Sequence, residues 1–463
     1  MLKADSGNPV ALFDPPKSDQ FTPQPWILDR PAWRDRSWFK IEFGITEPVR
    51  SKMMIIEDHI QGYAFATAAG GQLEPLADNA PIGDKSVYLR RKDANSVVTH
   101  FVGKSGAYSV DDLIQMKDEL FGKIEADATL PNIKLSGECD LRLEIVWGDS
   151  YHFHFFGLNT SREPFAGHSF QAASQFNALE MASPSTPPSA GITIYQGDRT
   201  QGPACAIACG PALFFRNYIA KQQISTGDWV NQCHPDKHSQ IDLAKGFTDL
   251  FDEGSFYSQN GYLKVKGVNG VRLIQQKFAV SEQDRKKLLE EIQSNYQAFV
   301  HWDTALTGQG STDPSVVIDE NGSAFKKVGQ IFLSALPVGY DNYFVKLSPD
   351  VKRDFGTAVL KGAYEATFLT EIVRLAMHIL AGGKQSRRTI YLTAPGGGVF
   401  ANDIRWIVDA LECVMKKYQN YPLDLKFTRF WTQGNAAAIS PGSPFYKLVE
   451  MAEKSWPGKV VFD

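Results

Sequence analysis

The run Thr389-Ile390-Tyr391-Leu392-Thr393-Ala394-Pro395-Gly396-Gly397-Gly398-Val399-Phe400 constrains this chain more than any other stretch. A short β-branched and aromatic segment reads as a strand that stops at Pro395. Three glycines follow, and Asn402 or Asp403 then caps a helix whose apolar side is Ile404, Ile407, Val408, Leu411 and Met415. Strand, glycine loop and helix together form a geometry in which bare backbone N–H groups and a helix N-terminus meet an anion. Glycine takes positive φ and brings the backbone against a ligand with no side chain in between. One glycine usually suffices for a tight turn, so three point to a phosphate cradle.

Around this loop the pattern alternates between strands and helices. Ser281 to Tyr296 reads as a helix, Lys327 to Leu336 as a buried strand, and Tyr364, Phe368, Ile372, Leu375 and Ile379 mark a long helix ending at Gly382-Gly383. Strand 389–393, helix 404–417 and strand 423–430 follow. Such alternation implies an α/β fold with a mixed, mostly parallel sheet flanked by helices. Ligands of these sheets bind beyond the carboxyl ends of the strands, where the glycine loop lies.

The N-terminal third has a different texture. Residues 1–45 are rich in proline, tryptophan and charge, and residues 55–100 carry short alternating segments. A helix is expected over 110–124 with Ser109 or Asp111 as cap. Leu141 to Trp147 reads as a strand that turns at Gly148-Asp149-Ser150 into Tyr151-His152-Phe153-His154-Phe155. We therefore expect an N-terminal α+β extension over 1–155 and a ligand-binding domain over 156–463. The extension would either bind a protein partner or complete the sheet and shield the cleft.

The chain is long enough, at 463 residues, for a large core. A net charge of -4 argues against a nucleic-acid protein that works by bulk electrostatics. No run of eighteen or more apolar residues calls for a transmembrane helix. Five scattered cysteines fit reduced thiols and a cytoplasmic location. Cys233-His234 with His238, and the strand histidines His152 and His154, lack further ligands at metal spacing, so neither metal nor cofactor is expected.

A second set of candidates lies upstream. Asn177 ends an apolar segment and reads either as a ribose ligand or as a turn residue. Asp198, Thr200 and Gln201 stand at the mouth of a helix over 203–209 as ligand contacts, with Asp198 and Thr200 readable also as simple N-caps. Cys205 and Cys209 read as small core residues.

Ala172-Ala173-Ser174 before Asn177, taken with Gly396-Gly397-Gly398-Val399-Phe400-Ala401-Asn402, resembles the macrodomain superfamily of ADP-ribose-binding proteins. The segments Gln201-Gly202-Pro203-Ala204-Cys205-Ala206, Arg216-Asn217-Tyr218 and Ser334-Ala335-Leu336-Pro337-Val338 are similar to its divergent MavL-like branch of arginine-specific ADP-ribosyl hydrolases. The resemblance covers residues 165–440, while the Asn-Ala-Ala-Asn motif of ordinary macrodomains is missing. It implies a macrodomain-like sheet, ADP-ribose as ligand and product, and hydrolysis of mono-ADP-ribosylated protein, with ubiquitin as one candidate substrate. Asn177, Asp198, Thr200, Gln201, Gly396, Gly397, Gly398, Val399, Phe400 and Asn402 are then the expected ligand contacts, with Phe400 stacked on the distal ribose.

Cleaving an ADP-ribosyl bond passes through an oxocarbenium-like transition state, which carboxylates stabilise. A guanidine leaves protonated, so a carboxylate that binds guanidinium also helps. Residues 303–320, read as an acidic loop between a helix and the 328–333 strand, offer Asp303 and Asp313. The resemblance assigns them the catalytic role. His301, Tyr340 and Asp341 are further candidates to line the cleft. The alternative is a non-catalytic ADP-ribose reader with the same pocket. A nicotinamide-dependent dehydrogenase fits less well, since the glycines lack the G-x-G-x-x-G spacing.

Overall fold

Short β-branched and aromatic runs separated by helical segments assemble into a seven-stranded sheet in the computed structural model. The described residues are Phe39, Glu47, 63–69, 72–75, 87–92, 97–130, 141–147, 167–198, 200–223, 226–234, 239–305, 327–383, 388–429 and 446–455. Ahead of the main sheet, β1 (Tyr63–Ala69), β2 (Gln72–Pro75), β3 (Val87–Lys92) and β4 (Val97–Gly103) pair antiparallel in the order β2-β1-β3-β4.

The main sheet uses β5 (Ser105–Ser109), β6 (Arg142–Trp147), β7 (Ser169–Ala173), β12 (Gln297–Ala305), β13 (Lys327–Leu333), β14 (Arg388–Leu392) and β15 (Leu423–Arg429). Two small antiparallel pairs lie between β7 and β12: β8 (Lys221–Gln223) with β9 (Trp229–Asn231), and β10 (Phe256–Gln259) with β11 (Tyr262–Val265). The order of the main sheet is β5-β12-β13-β7-β14-β15-β6. Its four pairings from β13 to β6 are parallel, and β5 and β12 are antiparallel to their neighbours. This is the mixed, mostly parallel α/β sheet that the alternation predicts. Strand β7 is buried along almost its whole length, as a strand covered on both faces must be.

The sheet runs across the expected division at residue 155. Strands β5 and β6, both from the N-terminal part, form its two edges. Helix α1 (Val110–Ala126) starts on a capping box in which Ser109 Oγ accepts from Asp112 N and Asp112 returns the bond to Ser109 N. The described part of the N-terminal region thus contributes two strands to the main sheet. Residues 148–155, with the expected histidine strand, lie outside the described residues, and β6 pairs parallel to β15.

The other helices with a role here are α2 (Gln201–Ala208), α3 (Gly267–Phe278), α4 (Glu282–Ser294), α5 (Pro349–Leu380), α6 (Ile404–Lys417) and α7 (Tyr446–Ser455). Ser348 caps α5 and Pro349 opens it. From Phe355 to Ala376 α5 is buried almost all round, packed against α1, α4 and α6. Gly382, at φ +82°, lets the chain leave where the sequence places the stop. No helix among the described residues is long and apolar enough to cross a membrane.

Candidate functional site

Parallel strands β7, β13 and β14 release three chain segments at one edge of the sheet: 174–181, 334–341 and 393–403. The glycine loop is the third of them. Gly396 takes φ +72°, and a β-carbon there would meet Asn402 Nδ2 at 2.4 Å and Ala335 at 2.6 Å, so only glycine fits. Within the loop Gly397 N donates to Ala394 O, Ala401 N to Gly398 O, and Asn402 N to Gly396 O. The backbone N–H groups of Gly398, Val399 and Phe400 find no acceptor among the described residues. Val399 is 63% exposed, so these amides lie in the open part of the loop. Three successive unpaired N–H groups are the kind of backbone that can take an anion.

Asn402 has another job than ligand contact. It is buried, and its Nδ2 donates to Leu336 O at 2.7 Å, which ties the glycine loop to the segment after β13. Gly339 N donates to Phe400 O, a second tie between the same segments. Asp403 is the cap of α6, through Arg405 N. Phe400 packs against Tyr340 (5.6 Å between centroids) and Tyr262 (5.5 Å), which themselves stand 5.1 Å apart. Tyr262 comes from the β10–β11 hairpin and donates through its hydroxyl to Met181 O. These three rings form an aromatic cluster beside the glycine loop, with Tyr262 buried and Tyr340 and Phe400 partly exposed.

At the carboxyl end of β7 begins α2. Gly202 sits so close to β7 that a β-carbon would lie 1.8 Å from Ala173 O. Thr200 is the N-cap residue and forms no side-chain cap bond, and the N–H groups of Gln201 and Gly202 are unpaired among the described residues. Asp198 precedes them, its Oδ1 accepting from Thr200 N at 2.8 Å and Thr200 Oγ1 at 2.7 Å. Burial first, and then the charge of Asp198, push the Tyr340 hydroxyl above its ordinary range. The same charge adds to burial and Tyr340 at Tyr262. Asp198 therefore lies within electrostatic reach of the aromatic cluster.

Three of the expected site residues turn out to be structural. Gln201 points inward: its Oε1 accepts from Ala173 N and its Nε2 donates to Gln171 O. The reason is that β14 pairs with β7 only as far as Phe170, and the Gln201 amide satisfies the strand groups beyond. Asn177 is fully buried, with Oδ1 accepting from Leu179 N and Nδ2 donating to Gln240 Oε1. These are the bonds of a turn residue, made by a side chain shut away from solvent. Asp341 likewise spends its carboxylate on Val265 N and Tyr343 N.

The expectation for Asp303 needs the largest correction. Residues 303–305 are not loop but part of β12, beside a register shift between His301 and Thr304. Because β12 runs antiparallel to β13, Thr304 pairs with Val328 at the amino end of that strand. Five residue steps along β13 lead from Val328 to Leu333 at the carboxyl end, about 16 Å at ~3.3 Å per residue. Asp303 pairs there with Arg374 Nη2 at 2.7 Å, in a network with Glu371, Ser169 and Arg388. The sheet thus keeps Asp303 and the glycine loop on opposite edges. Asp313 lies outside the described residues. His301 is fully buried between Phe299, Phe332 and Arg216, and burial holds its imidazole well below the ordinary value.

One acidic residue of this region was missed from sequence. Glu180 is buried beneath the mouth of α2, neither carboxyl oxygen has a hydrogen-bond partner among the described residues, and its pKa is raised to about 8. Burial causes the shift, against the pull of Arg216 Nη2 at 3.8 Å. Its backbone N–H donates to Tyr195 OH. A lone Glu directly after Ala178-Leu179, in a run that begins at Phe176, was the available signal.

No protein-family model matches the sequence, and no match was found among the curated proteins. Among solved structures, the chain is similar to poly(ADP-ribose) glycohydrolase from Deinococcus radiodurans in complex with ADP-ribose. Identity is 10% and the TM-score 0.36, over 76% of this chain and 94% of that one. It is also similar to the Thermomonospora curvata poly(ADP-ribose) glycohydrolase bound to the inhibitor ADP-HPD, at 12% identity and a TM-score of 0.31, over 88% and 97% of the two chains. At this distance the likeness carries no residue across, and the reading of the site rests on its own geometry.

Proposed function

We propose that this chain is a hydrolase that removes ADP-ribose from mono-ADP-ribosylated protein, with the N-glycosidic bond to arginine as its substrate linkage. One observation carries the reading: the open amides of the glycine loop, the open first turn of α2, the aromatic cluster at Phe400 and the carboxylate of Asp198 share one edge of the sheet. Two sets of unpaired N–H groups suit a diphosphate. The ring of Phe400 suits a ribose face. In this proposal Asp198 is the carboxylate that stabilises positive charge at the anomeric carbon and attracts a guanidinium leaving group. Asp313 is the second carboxylate of the proposal, on the strength of the resemblance alone. The modified protein, with ubiquitin as a candidate, and a cytoplasmic site of action belong to the same proposal.

The distance of Asp303 from the glycine loop favours a second reading, the non-catalytic ADP-ribose reader, because it removes one of the two expected catalytic carboxylates from the cleft. A release assay separates the two. The protein is offered substrates mono-ADP-ribosylated on arginine, serine or glutamate, beside Asp198→Ala and Asp303→Ala variants. Release from arginine alone, lost in Asp198→Ala and kept in Asp303→Ala, supports the hydrolase. ADP-ribose binding without release from any linkage makes the protein a reader.

A further inference from the structure

Glu47 stands far from the cleft in sequence, yet it grips the segment that leads into it. Its Oε1 accepts from Ile192 N at 2.6 Å and its Oε2 from Thr193 N at 3.0 Å, and the buried Tyr218 hydroxyl donates to Oε1 as well. Thr193 opens a short 3₁₀ turn, Thr193–Gly197, that has no side-chain cap of its own. The Glu47 carboxylate therefore supplies the cap from elsewhere in the chain, where negative charge is favoured by the unpaired first N–H groups of a helical turn.

The fit leaves room for nothing larger. Gly191, just before the turn, has φ +88°, and a β-carbon there would lie 2.6 Å from Glu47 Oε2. Nearby in sequence, Phe39 is fully buried and its ring lies 6.0 Å from that of Phe214. Two residues of the N-terminal part are thus built into the body of the protein.

What the turn carries makes the grip matter. Tyr195, in its middle, accepts the backbone N–H of Glu180 on its hydroxyl, at 2.7 Å. At its end, Asp198 N donates to Tyr195 O, and Asp198 then holds Thr200 at the mouth of α2. Hydrogen bonds and the intervening backbone link Glu47 through Ile192 and Tyr195 to Asp198 on one side and Glu180 on the other.

We infer that Glu47 is a positioning residue for the ligand site: it fixes the turn that sets Asp198 and the first turn of α2. A neutral residue in its place keeps the apolar packing of Ile192, Tyr195 and Tyr218 and loosens the turn. The inference rests on the proposed function only for the choice of ADP-ribose as probe.

The test uses the full chain with Glu47→Gln, Glu47→Ala and a Phe39→Leu control, read by hydrogen–deuterium exchange and by ADP-ribose titration. In Glu47→Ala, exchange is expected to rise across 192–200 and at Glu180, and the dissociation constant to rise about tenfold. Glu47→Gln, which can still accept one of the two N–H groups, should fall between wild type and Glu47→Ala, and Phe39→Leu should lower thermal stability without moving the dissociation constant. Faster exchange confined to Ile192 and Thr193, with unchanged binding, overturns the inference. A fall in melting temperature with no change at 195–200 does the same. If wild type binds no ADP-ribose the proposed function falls, and the exchange pattern alone then decides whether Glu47 orders the turn.

Discussion

Asp303 and Arg374 form an ion pair of 2.7 Å at the amino edge of the parallel strands, with the Asp303 side chain 53% exposed and that of Arg374 5%. Arg374 is also held by Glu371 and Ser169, so it keeps partners if Asp303 is lost. An exposed partner in water contributes little, ~0.5–1 kcal/mol. Asp303→Ala should therefore lower the unfolding free energy by about that amount, measured by denaturant melts, and leave ADP-ribose release at the wild-type rate. A catalytic loss of a hundredfold or more at unchanged stability would restore Asp303 to the site and sink the present placement.

Glu371 holds the same network from inside. It is fully buried and touches Arg374, Arg388 and the Ser169 hydroxyl. Burial alone would raise its pKa, but the two guanidinium groups and the hydroxyl outweigh burial and hold the carboxyl below its ordinary value. A carboxyl depressed in the folded state adds stability above its unfolded pKa, and that stability is lost as pH falls through the folded value. Glu371→Gln leaves two arginines facing a neutral amide and should cost ~3–5 kcal/mol at pH 7. The gap between variant and wild type should narrow as pH drops below 4.5, the ordinary value for this group. Equal melting temperatures at pH 7 would show that the network contributes nothing.

Much of this architecture was legible in the sequence because its signals are local. Helix 404–417 is bounded as its apolar stripe predicts, and the strand before Pro395 and the stop at Gly382 follow from side-chain chemistry within a few residues. What failed were readings that depend on partners remote in the chain. Asp303 reads as loop because glycines and acids follow it, whereas the pairing of β12 with β5 and β13 makes it strand. Asn177 and Gln201 carry the right chemistry for a ligand, but Gln240 in one case and the unpaired end of β7 in the other claim their amides. Tyr262 and Glu47 carry no local signal, since each matters only through a contact made across the fold.

Two glycines near the cleft should behave in opposite ways. At Gly202 a β-carbon would lie 1.8 Å from the carbonyl of Ala173, a backbone atom that cannot swing aside. Gly202→Ala must push α2 away from β7 and should destabilise the protein by at least ~3 kcal/mol. At Gly398 nothing lies within 4 Å of the added carbon. Gly398→Ala should fold with a melting temperature close to wild type and bind ADP-ribose more weakly, because the methyl group stands beside the open amides. Titration of both variants, with thermal melts alongside, checks the contrast; a Gly398→Ala protein that binds normally would argue that the cradle is not used.

Glu180 provides the pH signature of the region beneath the cleft. Its carboxyl, ordinarily near 4.5, is raised by burial to about 8, with Arg216 opposing the shift. In the folded protein it therefore stays protonated over a window in which the unfolded chain releases the proton. The folded state binds more protons there, so stability falls as pH rises. The contribution is fully present below 4.5, declines between 4.5 and about 8, and is gone above the folded value. Glu180→Gln keeps the shape and never ionises, so it should flatten this decline, and its advantage over wild type should be largest near pH 8.5. Melting curves between pH 5 and 9 decide it. Parallel slopes for variant and wild type would mean that Glu180 is ionised and paired with Arg216, in which case Glu180→Gln should instead be destabilising at every pH in the range.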